Sequence, residues 1–192
     1  MSGRGTERQT GLILFIPVSK RRQAACQCRL IDPPFANEEM SDALAIRFVT
    51  RQDYDRWLPL WDGYNAFYGR AGATALSPEI TAMTWARFFD ADEPVHGLVA
   101  ESGGQLIGLT HYLFHRSTTA IEPVCYLQDL FTGERARGKG VGKALINAVY
   151  DQARRAGSRR VYWQTHETNH AAQQLYNKVA EHSGFVVYRK LF

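Results

Sequence analysis

The segment RARGKGVGKAL, Arg135 to Leu145, combines three glycines with four basic residues and leads directly into a run with helical periodicity. A helix N-terminus exposes unpaired backbone N–H groups and carries a partial positive charge. Glycines there let an anion approach those groups without meeting a Cβ atom, and Arg137, Lys139 and Lys143 add full positive charges. The segment therefore predicts a phosphate-binding loop at the start of a helix.

Two familiar phosphate-binding patterns do not fit this loop. A Walker loop requires a glycine five residues before Gly142 and a serine or threonine after Lys143, but those positions are Arg137 and Ala144. The dinucleotide fingerprint requires Gly-x-Gly-x-x-Gly, whereas the spacing here is Gly-x-Gly-x-Gly, with no acidic residue about twenty residues further on. The pattern that fits is Arg-x-x-Gly-x-Gly, formed by Arg137, Gly140 and Gly142.

The elements predicted around the loop include both strands and helices. Apolar spacings of three and four indicate helices, and Ser102-Gly103-Gly104 between two apolar runs is typical of a β-hairpin. Because several strands follow one another before the loop, we expect an α/β (α+β) fold whose sheet is largely antiparallel. The predicted strands are 43–49, 95–101, 105–114, 125–131, 161–165 and 185–192, and the predicted helices are 53–70, 77–89, a helix from the loop to Gly157, and 169–182.

Length and composition predict one folded domain with an extension. The 192 residues contain 45% hydrophobic and 22% charged residues, which is ordinary globular composition. Residues 1–39 lack clear periodicity and include Pro33-Pro34, so we expect a poorly ordered N-terminal extension there and a single domain over 40–192. A functional basic arm is the alternative, with a net charge of only +2 to support it.

Neither a membrane span nor a metal site is expected. No apolar run approaches the roughly 20 residues needed to cross a bilayer. The three cysteines lack the paired spacing of a zinc site, and Cys26 and Cys28 are too close for an easy disulfide. We therefore expect a reduced, cytoplasmic protein without a metal ion.

Charge is divided unevenly along the chain. Residues 135–160 carry eight Lys/Arg and one acid, whereas residues 79–134 carry eight acids and two Arg. One region should attract an anion and its neighbour a cation, although two solvated faces would give the same count.

The loop and the elements around it resemble the GCN5-related N-acetyltransferase (GNAT) family. Arg-x-x-Gly-x-Gly is that family's pyrophosphate-binding signature. It is preceded by the strand YLQDLFT (126–132) and followed by the strand VYWQT (161–165) and by Asn169-x-x-Ala172-x-x-Leu175-Tyr176. The resemblance covers about 44–192. Within the family, YWQTHETNHAAQQLY (162–176) and AEHSGFVVYRK (180–190) are most similar to the histone and polyamine acetyltransferases.

The resemblance implies how acetyl-CoA binds. The fold would be a mixed, mostly antiparallel sheet flanked by helices, with two splayed strands forming the acetyl-CoA cleft. The pantetheine arm would pair with the backbone at Leu130 and Thr132, near a backbone N–H that faces the thioester oxygen, and it would contact Asn169. The pyrophosphate would bind the loop residues Arg137, Gly138, Lys139, Gly140, Val141, Gly142 and Lys143.

The resemblance also implies direct attack of a primary amine on the thioester. Tyr176 matches the residue that protonates the departing CoA thiolate. An alkylammonium has a pKa near 10, so a base must remove its proton. Polyamine acetyltransferases carry Tyr-Leu-Glu-Asp before the loop, but here Gln128 replaces the Glu and leaves Asp129 as the candidate base. A capping role for Asp129 remains the alternative.

Three further residues could act as the base through water, namely Glu101, His111 and His166.

The acceptor amine is expected to be small and cationic or part of a peptide, because residues 79–134 are acidic. Tyr64, Phe67 and Tyr68 share one face of a predicted helix and are candidates to line its site, although an aromatic stripe at helical spacing is more often core.

Two other classes of function compete with an enzyme. An acyl-CoA-binding sensor without turnover would explain Gln128, and a nucleic-acid-binding module would use the basic segment. That segment lacks the interleaved aromatic residues of a single-strand platform, so we expect neither nucleic-acid nor membrane partners. The sequence leaves open a homodimer.

Overall fold

The computed structural model describes residues 43–192, so the predicted extension at 1–39 lies outside the described residues. Five strands form one sheet in the order β1-β2-β3-β4-β5. The first four are antiparallel neighbours, as the sequence predicts, and β5 runs parallel to β4. The strands are β1 (Ala45–Phe48), β2 (Val95–Ser102), β3 (Gln105–His115), β4 (Val124–Thr132) and β5 (Val161–Tyr162).

Four helices cover the two faces of the sheet, namely α1 (Tyr54–Phe67), α2 (Pro78–Arg87), α3 (Val141–Arg155) and α4 (His170–Val179). On one face α3 buries Leu145, Ile146 and Val149 against Tyr112 and Leu127 of the sheet. A second cluster, on α1 and strands of the sheet, contains Trp57, Leu60, Trp61, Val99 and Leu109. Each large apolar side chain buried in these layers contributes about 1.5–3 kcal/mol.

A β-bulge in β4 changes the face on which its later residues lie. Leu127 pairs with Tyr112, and Asp129 pairs with His111, so Gln128 is the extra residue. Leu127 packs in the α3 cluster, and strict alternation would direct Asp129 to the same side. The additional residue instead places Asp129 beside His111 on the α1 side and leaves Gln128 exposed.

The parallel pair β4 and β5 separates soon after it begins. Pairing is limited to Cys125 with Val161 and Tyr126 with Tyr162. From Leu127 to Thr132 the β5 side of β4 has no strand neighbour within residues 43–192. The splay predicted from the resemblance is confirmed, and it leaves an open backbone edge beside α3.

Three predicted elements end three residues early, and one of them is the helix predicted at 169–182, which ends at Val179. The helix predicted to reach Arg70 ends at Phe67, because Gly69 adopts a left-handed conformation (φ 76°) that closes the last turn. The strand predicted at 161–165 has only two paired residues because β4 and β5 diverge.

The closing strand predicted at 185–192 does not form in the described structure. Residues 180–192 have neither helical nor strand structure, and Phe185, Tyr188 and Phe192 are exposed. Strand formation requires a hydrogen-bonding neighbour, and none of the described strands pairs with this segment.

None of the described helices is long and apolar enough to cross a membrane. Within the same residues, no cluster of three or more His, Cys, Asp or Glu side chains could hold a metal ion.

Candidate active site

The predicted loop ends at the N-terminus of α3. Gly138 and Gly140 have positive φ angles of 75° and 82°, which favour glycine. A Cβ atom added to either would meet nothing within 4 Å, so the space above the loop is open. No side chain caps α3 and no acidic residue lies in its first turn, so its first amides remain available to an anion.

Gly142, the third glycine of the loop, is required for close packing and not for a left-handed backbone conformation. A Cβ on Gly142 would lie 3.1 Å from Leu175 Cδ2 of α4 and 3.9 Å from Thr132 Cγ2 of β4. Gly142 therefore allows α3 and α4 to pack closely, and it brings the loop against the end of β4.

Three cations surround the loop. Arg137, Lys139 and Lys143 are exposed and form no ion pair with a carboxylate in the described part of the chain. Val141, only 3% exposed, anchors the first turn in the α3 cluster. These observations fit a polyanionic group bound at the helix N-terminus.

The open edge of β4 leads directly to this loop. Leu130 pairs with Thr110 and Thr132 pairs with Gly108 on the β3 side, and both are half-buried. Their other side faces the gap between β4 and β5. An extended chain such as a pantetheine arm fits backbone groups displayed in this way.

Asp129 is a buried carboxylate at the bulge, only 7% exposed. Its Oδ2 lies 2.9 Å from Nδ1 of His111. Burial raises the pKa of Tyr64, and the neighbouring carboxylate of Asp129 raises it further. Asp129 therefore accepts a hydrogen bond from His111 and lies close to the Tyr64 hydroxyl.

The tautomer of His111 follows from its second partner. Trp57 donates its indole N–H to Nε2 of His111 at 3.1 Å, and an indole can only donate. Nε2 must therefore be unprotonated, so Nδ1 carries the hydrogen and donates it to Asp129. His111 is 1% exposed, and its two ring nitrogens are both occupied.

The other two candidate bases lie in different surroundings. Glu101 forms ion pairs with Arg47 and Arg56, and the bond from Arg47 is the main reason that its pKa is lowered. His166 is exposed and bonds through Nδ1 to Thr168 Oγ1 at 2.8 Å. Of the three alternatives to Asp129, His111 is the one that contacts it.

Tyr176 lies on α4 with its ring against Trp163, at a centroid distance of 5.3 Å. Burial raises the pKa of Tyr176 to about 12, with a smaller contribution from Tyr68. Burial is also the main reason that the pKa of Tyr68 is raised, and the negative charge of Asp129 raises it further. Tyr68 therefore lies close to both the predicted acid and the predicted base.

The three acceptor candidates divide between core and surface. Tyr64 is 9% exposed and packs in the α1 cluster, whereas Phe67 and Tyr68 are 57% and 40% exposed. Phe67 and Tyr68 line a pocket of about 490 Å³ together with His166, Thr168, Asn169, His170 and Ala171. Pockets of this size suit a small ligand.

Asn169 caps α4 at the wall of this pocket. Its Oδ1 accepts the Ala172 N–H at 3.3 Å, and its Nδ2 donates to Thr165 Oγ1 at 3.2 Å. The cap fixes its side chain, so any contact with a ligand would use its remaining hydrogen-bonding capacity.

Sequence reasoning did not identify the bulge or the role of Trp57. The bulge has no glycine or proline to mark it. Trp57 reads as one more core residue on the α1 stripe, since only the fold brings its indole to His111.

Comparisons with known proteins agree with this geometry. Residues 57–180 match the sequence profile of the Acetyltransferase (GNAT) family. The chain is 38% identical over 161 residues to a D-amino-acid N-acetyltransferase of Saccharomyces cerevisiae, covering 81% of this chain and 98% of that protein. It is 32% identical over 145 residues to an uncharacterised N-acetyltransferase of Bacillus subtilis, covering 74% and 94%.

A solved structure shows the same fold. An aminoglycoside N-acetyltransferase in complex with CoA superposes with a TM-score of 0.64 at 20% identity, covering 78% of this chain and 95% of that one. The open loop, the splayed strands and these relatives together identify the chain as an acetyl-CoA-dependent N-acetyltransferase of the GNAT family.

Proposed function

We propose that the enzyme transfers the acetyl group of acetyl-CoA to the primary amine of a small molecule by direct attack in a ternary complex. The observation that carries this proposal is the position of Asp129. Its carboxylate accepts a hydrogen bond from His111 and lies near Tyr64 and Tyr68, and Tyr68 lines the pocket.

Acetyl-CoA would occupy the cleft between β4 and β5. The open amides and the three free cations of the loop would bind its phosphates, and the β4 edge at Leu130 and Thr132 would bind its pantetheine arm. Bound there, acetyl-CoA supplies a thioester carbonyl whose developing negative charge a β4 backbone N–H would stabilise.

Asp129 would hold the acceptor ammonium and receive its proton. An alkylammonium with a pKa near 10 must lose a proton before its nitrogen can attack the thioester, and the Asp129 carboxylate is the group that would accept it. The proton then leaves to solvent, and turnover should rise with pH as more acceptor is unprotonated.

Tyr176 would donate to the sulfur as the C–S bond breaks. With a pKa of about 12, its phenol remains protonated at neutral pH. When the C–N bond forms, the nitrogen loses a second proton, which balances the proton taken up by the thiolate. Tyr176 regains its own proton from solvent.

The acceptor belongs to one of two chemical classes. The yeast relative is named for D-amino acids, which makes amino acids the first class to test. The resemblance to histone and polyamine acetyltransferases makes polyamines and basic peptides the second. Gln128 stands exposed at the bulge, at the position that is Glu in the polyamine acetyltransferases that the sequence resembles, and this difference disfavours polyamines.

The test is release of the CoA thiol from acetyl-CoA, measured separately with D-amino acids, L-amino acids, spermidine and a basic peptide. We expect release that depends on one class and mass-spectrometric detection of its N-acetyl product. Binding of acetyl-CoA without release for any amine would contradict turnover and support an acyl-CoA sensor instead.

A homodimer is part of the same proposal. The apolar side chains of Phe185, Val186, Tyr188 and Phe192 are exposed, and contiguous exposed apolar surface is typical of an interface. Light scattering should give twice the chain mass, and a monomeric mass at micromolar concentration would contradict this part.

A further inference from the structure

Arg70 is folded back over the aromatic end of α1. After the last turn, Gly69 N–H bonds to Ala66 O and Arg70 N–H bonds to Asn65 O, each at 2.9 Å. This pattern is a Schellman motif, and it requires the left-handed conformation of Gly69. The guanidinium carbon of Arg70 consequently lies 5.7 Å from the ring centre of Tyr64 and 5.4 Å from that of Tyr68.

The Arg70 side chain is held in place by a hydrogen bond to Asn65 of α1. Its Nε donates to Oδ1 of Asn65 at 2.7 Å. Asn65 is itself 3% exposed and donates its Nδ2 to the carbonyl of Trp61 at 2.9 Å. Two polar bonds and two ring contacts therefore fix the orientation of a half-buried guanidinium.

The other half of this guanidinium has no partner in the chain. Among residues 43–192, neither Nη atom of Arg70 forms a hydrogen bond, and no carboxylate forms an ion pair with it. By contrast, Arg47 and Arg56 use their Nη atoms on Asp53 and Glu101. An oriented guanidinium with free Nη groups is suited to bind a carboxylate through two parallel bonds.

Arg70 and Asp129 act on the same pair of tyrosines with opposite charge. The Asp129 carboxylate raises the pKa of both Tyr64 and Tyr68, and the Arg70 guanidinium lowers it, although burial is the largest influence on each. Tyr68 also lines the pocket. A cationic and an anionic side chain therefore lie near the same two tyrosines, one of which lines the pocket.

We propose that Arg70 binds the α-carboxylate of an amino-acid acceptor while Asp129 binds its amine. The inference rests on the proposed function and narrows its acceptor to the amino-acid class. A zwitterion places opposite charges on neighbouring groups, as this site requires, whereas a polyamine or an aminoglycoside would bring a second cation toward Arg70. Arg70 is thus a specificity-determining residue.

The test compares acceptors that differ only in the carboxylate. Phenylalanine, as its D- and L-forms separately, is compared with 2-phenylethylamine on the wild type, Arg70→Met and Arg70→Lys. We expect the wild type to prefer one phenylalanine enantiomer. Arg70→Met should lower kcat/KM for it about 100- to 1,000-fold, as truncating a buried charged pair does. Arg70→Lys should recover part of the loss.

The amine acceptor and a second arginine provide the controls. Arg70→Met should change kcat/KM for 2-phenylethylamine by less than about threefold, which also shows that the variant is folded. Arg51→Met removes another guanidinium that lies over an aromatic ring, 4.6 Å from the ring centre of Phe89. It should leave kcat/KM unchanged for both phenylalanine and 2-phenylethylamine.

Two results would overturn the role of Arg70. These are equal losses for phenylalanine and 2-phenylethylamine in Arg70→Met, or no loss for either. A wild type that acetylates amines but ignores both phenylalanine enantiomers would overturn the amino-acid class and leave the acetyltransferase reaction intact. A wild type that acetylates no acceptor would contradict the proposed function itself.

Discussion

Trp57 donates its indole N–H to Nε2 of His111 across 3.1 Å, and this bond fixes which imidazole nitrogen carries the hydrogen. The other nitrogen can then only donate, and its partner is the carboxylate of Asp129 at 2.9 Å. The proposed base is therefore positioned by a chain of hydrogen bonds that begins at a core tryptophan on α1.

Trp57→Phe should loosen this chain without touching a substrate. Without the indole N–H, the imidazole loses its hydrogen bond at Nε2 and keeps only its bond to Asp129, so the ring is held less firmly. We expect kcat to fall about 10-fold with little change in acetyl-CoA affinity, and the ¹⁵N NMR shift of His111 Nε2 to report the lost hydrogen bond. The matched control is Trp85→Phe, which makes the same change from indole to phenyl at a neighbouring position of the same cluster. If it alters the His111 shifts equally, loss of packing is the cause.

Asp129→Asn should abolish most of the acceptor chemistry. An amide neither accepts a proton at neutral pH nor attracts an ammonium, and removal of a general base costs typically 100- to 10,000-fold. We expect that loss in kcat/KM for the amine, with acetyl-CoA binding within about twofold of wild type. Asp151→Asn is the control, since that carboxylate is exposed and pairs with Arg154. Full activity of Asp129→Asn would show that the carboxylate is structural.

The Asp129 site shows what the sequence could and could not predict. The loop and α3 were predictable, because their glycine spacing and apolar period are local patterns. The face on which Asp129 lies was not, because it depends on one extra residue, Gln128, in a strand that otherwise alternates regularly. No local pattern records such a register shift, which arises from pairing with β3.

Contacts made across the sheet were also beyond sequence reasoning. Trp57 and His111 are 54 residues apart, and their bond exists only because α1 packs on β3. The segment 185–192 is rich in strand-forming residues, but a propensity cannot create a neighbouring strand. The apolar spacing predicts Arg70 as the last residue of a helix, whereas Gly69 ends that helix and turns Arg70 back.

Arg137→Glu should weaken acetyl-CoA binding. The substitution replaces a cation of the loop with an anion at the helix N-terminus, where phosphate should bind. We expect the Kd for CoA, measured by calorimetry, to rise about 10- to 100-fold, consistent with loss of a charge-assisted bond and added repulsion. Arg116→Glu makes the same charge change at an exposed residue that follows β3, and it should leave the Kd nearly unchanged. If both variants bound CoA with equal affinity, the prediction that this loop binds the phosphates of acetyl-CoA would be wrong.

Tyr176→Phe should lower turnover but not binding. The phenol has a pKa of about 12 and is protonated under all working conditions, so the substitution removes a donor and leaves the charge of the site unchanged. We expect kcat to fall about 10- to 1,000-fold with unchanged affinity for acetyl-CoA. Tyr150→Phe is the matched control, because its hydroxyl donates to the Val179 carbonyl away from the pocket. An unchanged turnover number for Tyr176→Phe would remove the residue as the acid.

The buried carboxylate of Asp53 should govern acid stability. Its side chain is fully buried and accepts bonds from the guanidinium of Arg47 and from the backbone and hydroxyl of Thr50. Arg47 is the largest influence, and together these donors hold the pKa of Asp53 far below its usual value of 3.8. Since the unfolded chain protonates at the usual value, the stabilisation is fully present above about pH 5. It is lost progressively as the pH falls below about 4.

Asp53→Asn should therefore lower the free energy of unfolding by about 2–3 kcal/mol at pH 7. This loss is smaller than for a fully buried pair, because Arg47 remains partly exposed. Urea denaturation of wild type and variant between pH 7 and pH 2.5 measures the difference. It should stay constant down to about pH 5 and shrink below pH 4. Asp151→Asn breaks an exposed ion pair with Arg154, and it should lower the free energy of unfolding by less than about 1 kcal/mol over the whole pH range. If the difference in free energy of unfolding between wild type and Asp53→Asn grew on acidification, the role of Asp53 would be contradicted. A carboxylate whose pKa is lowered by folding can only lose its stabilising effect as it becomes protonated.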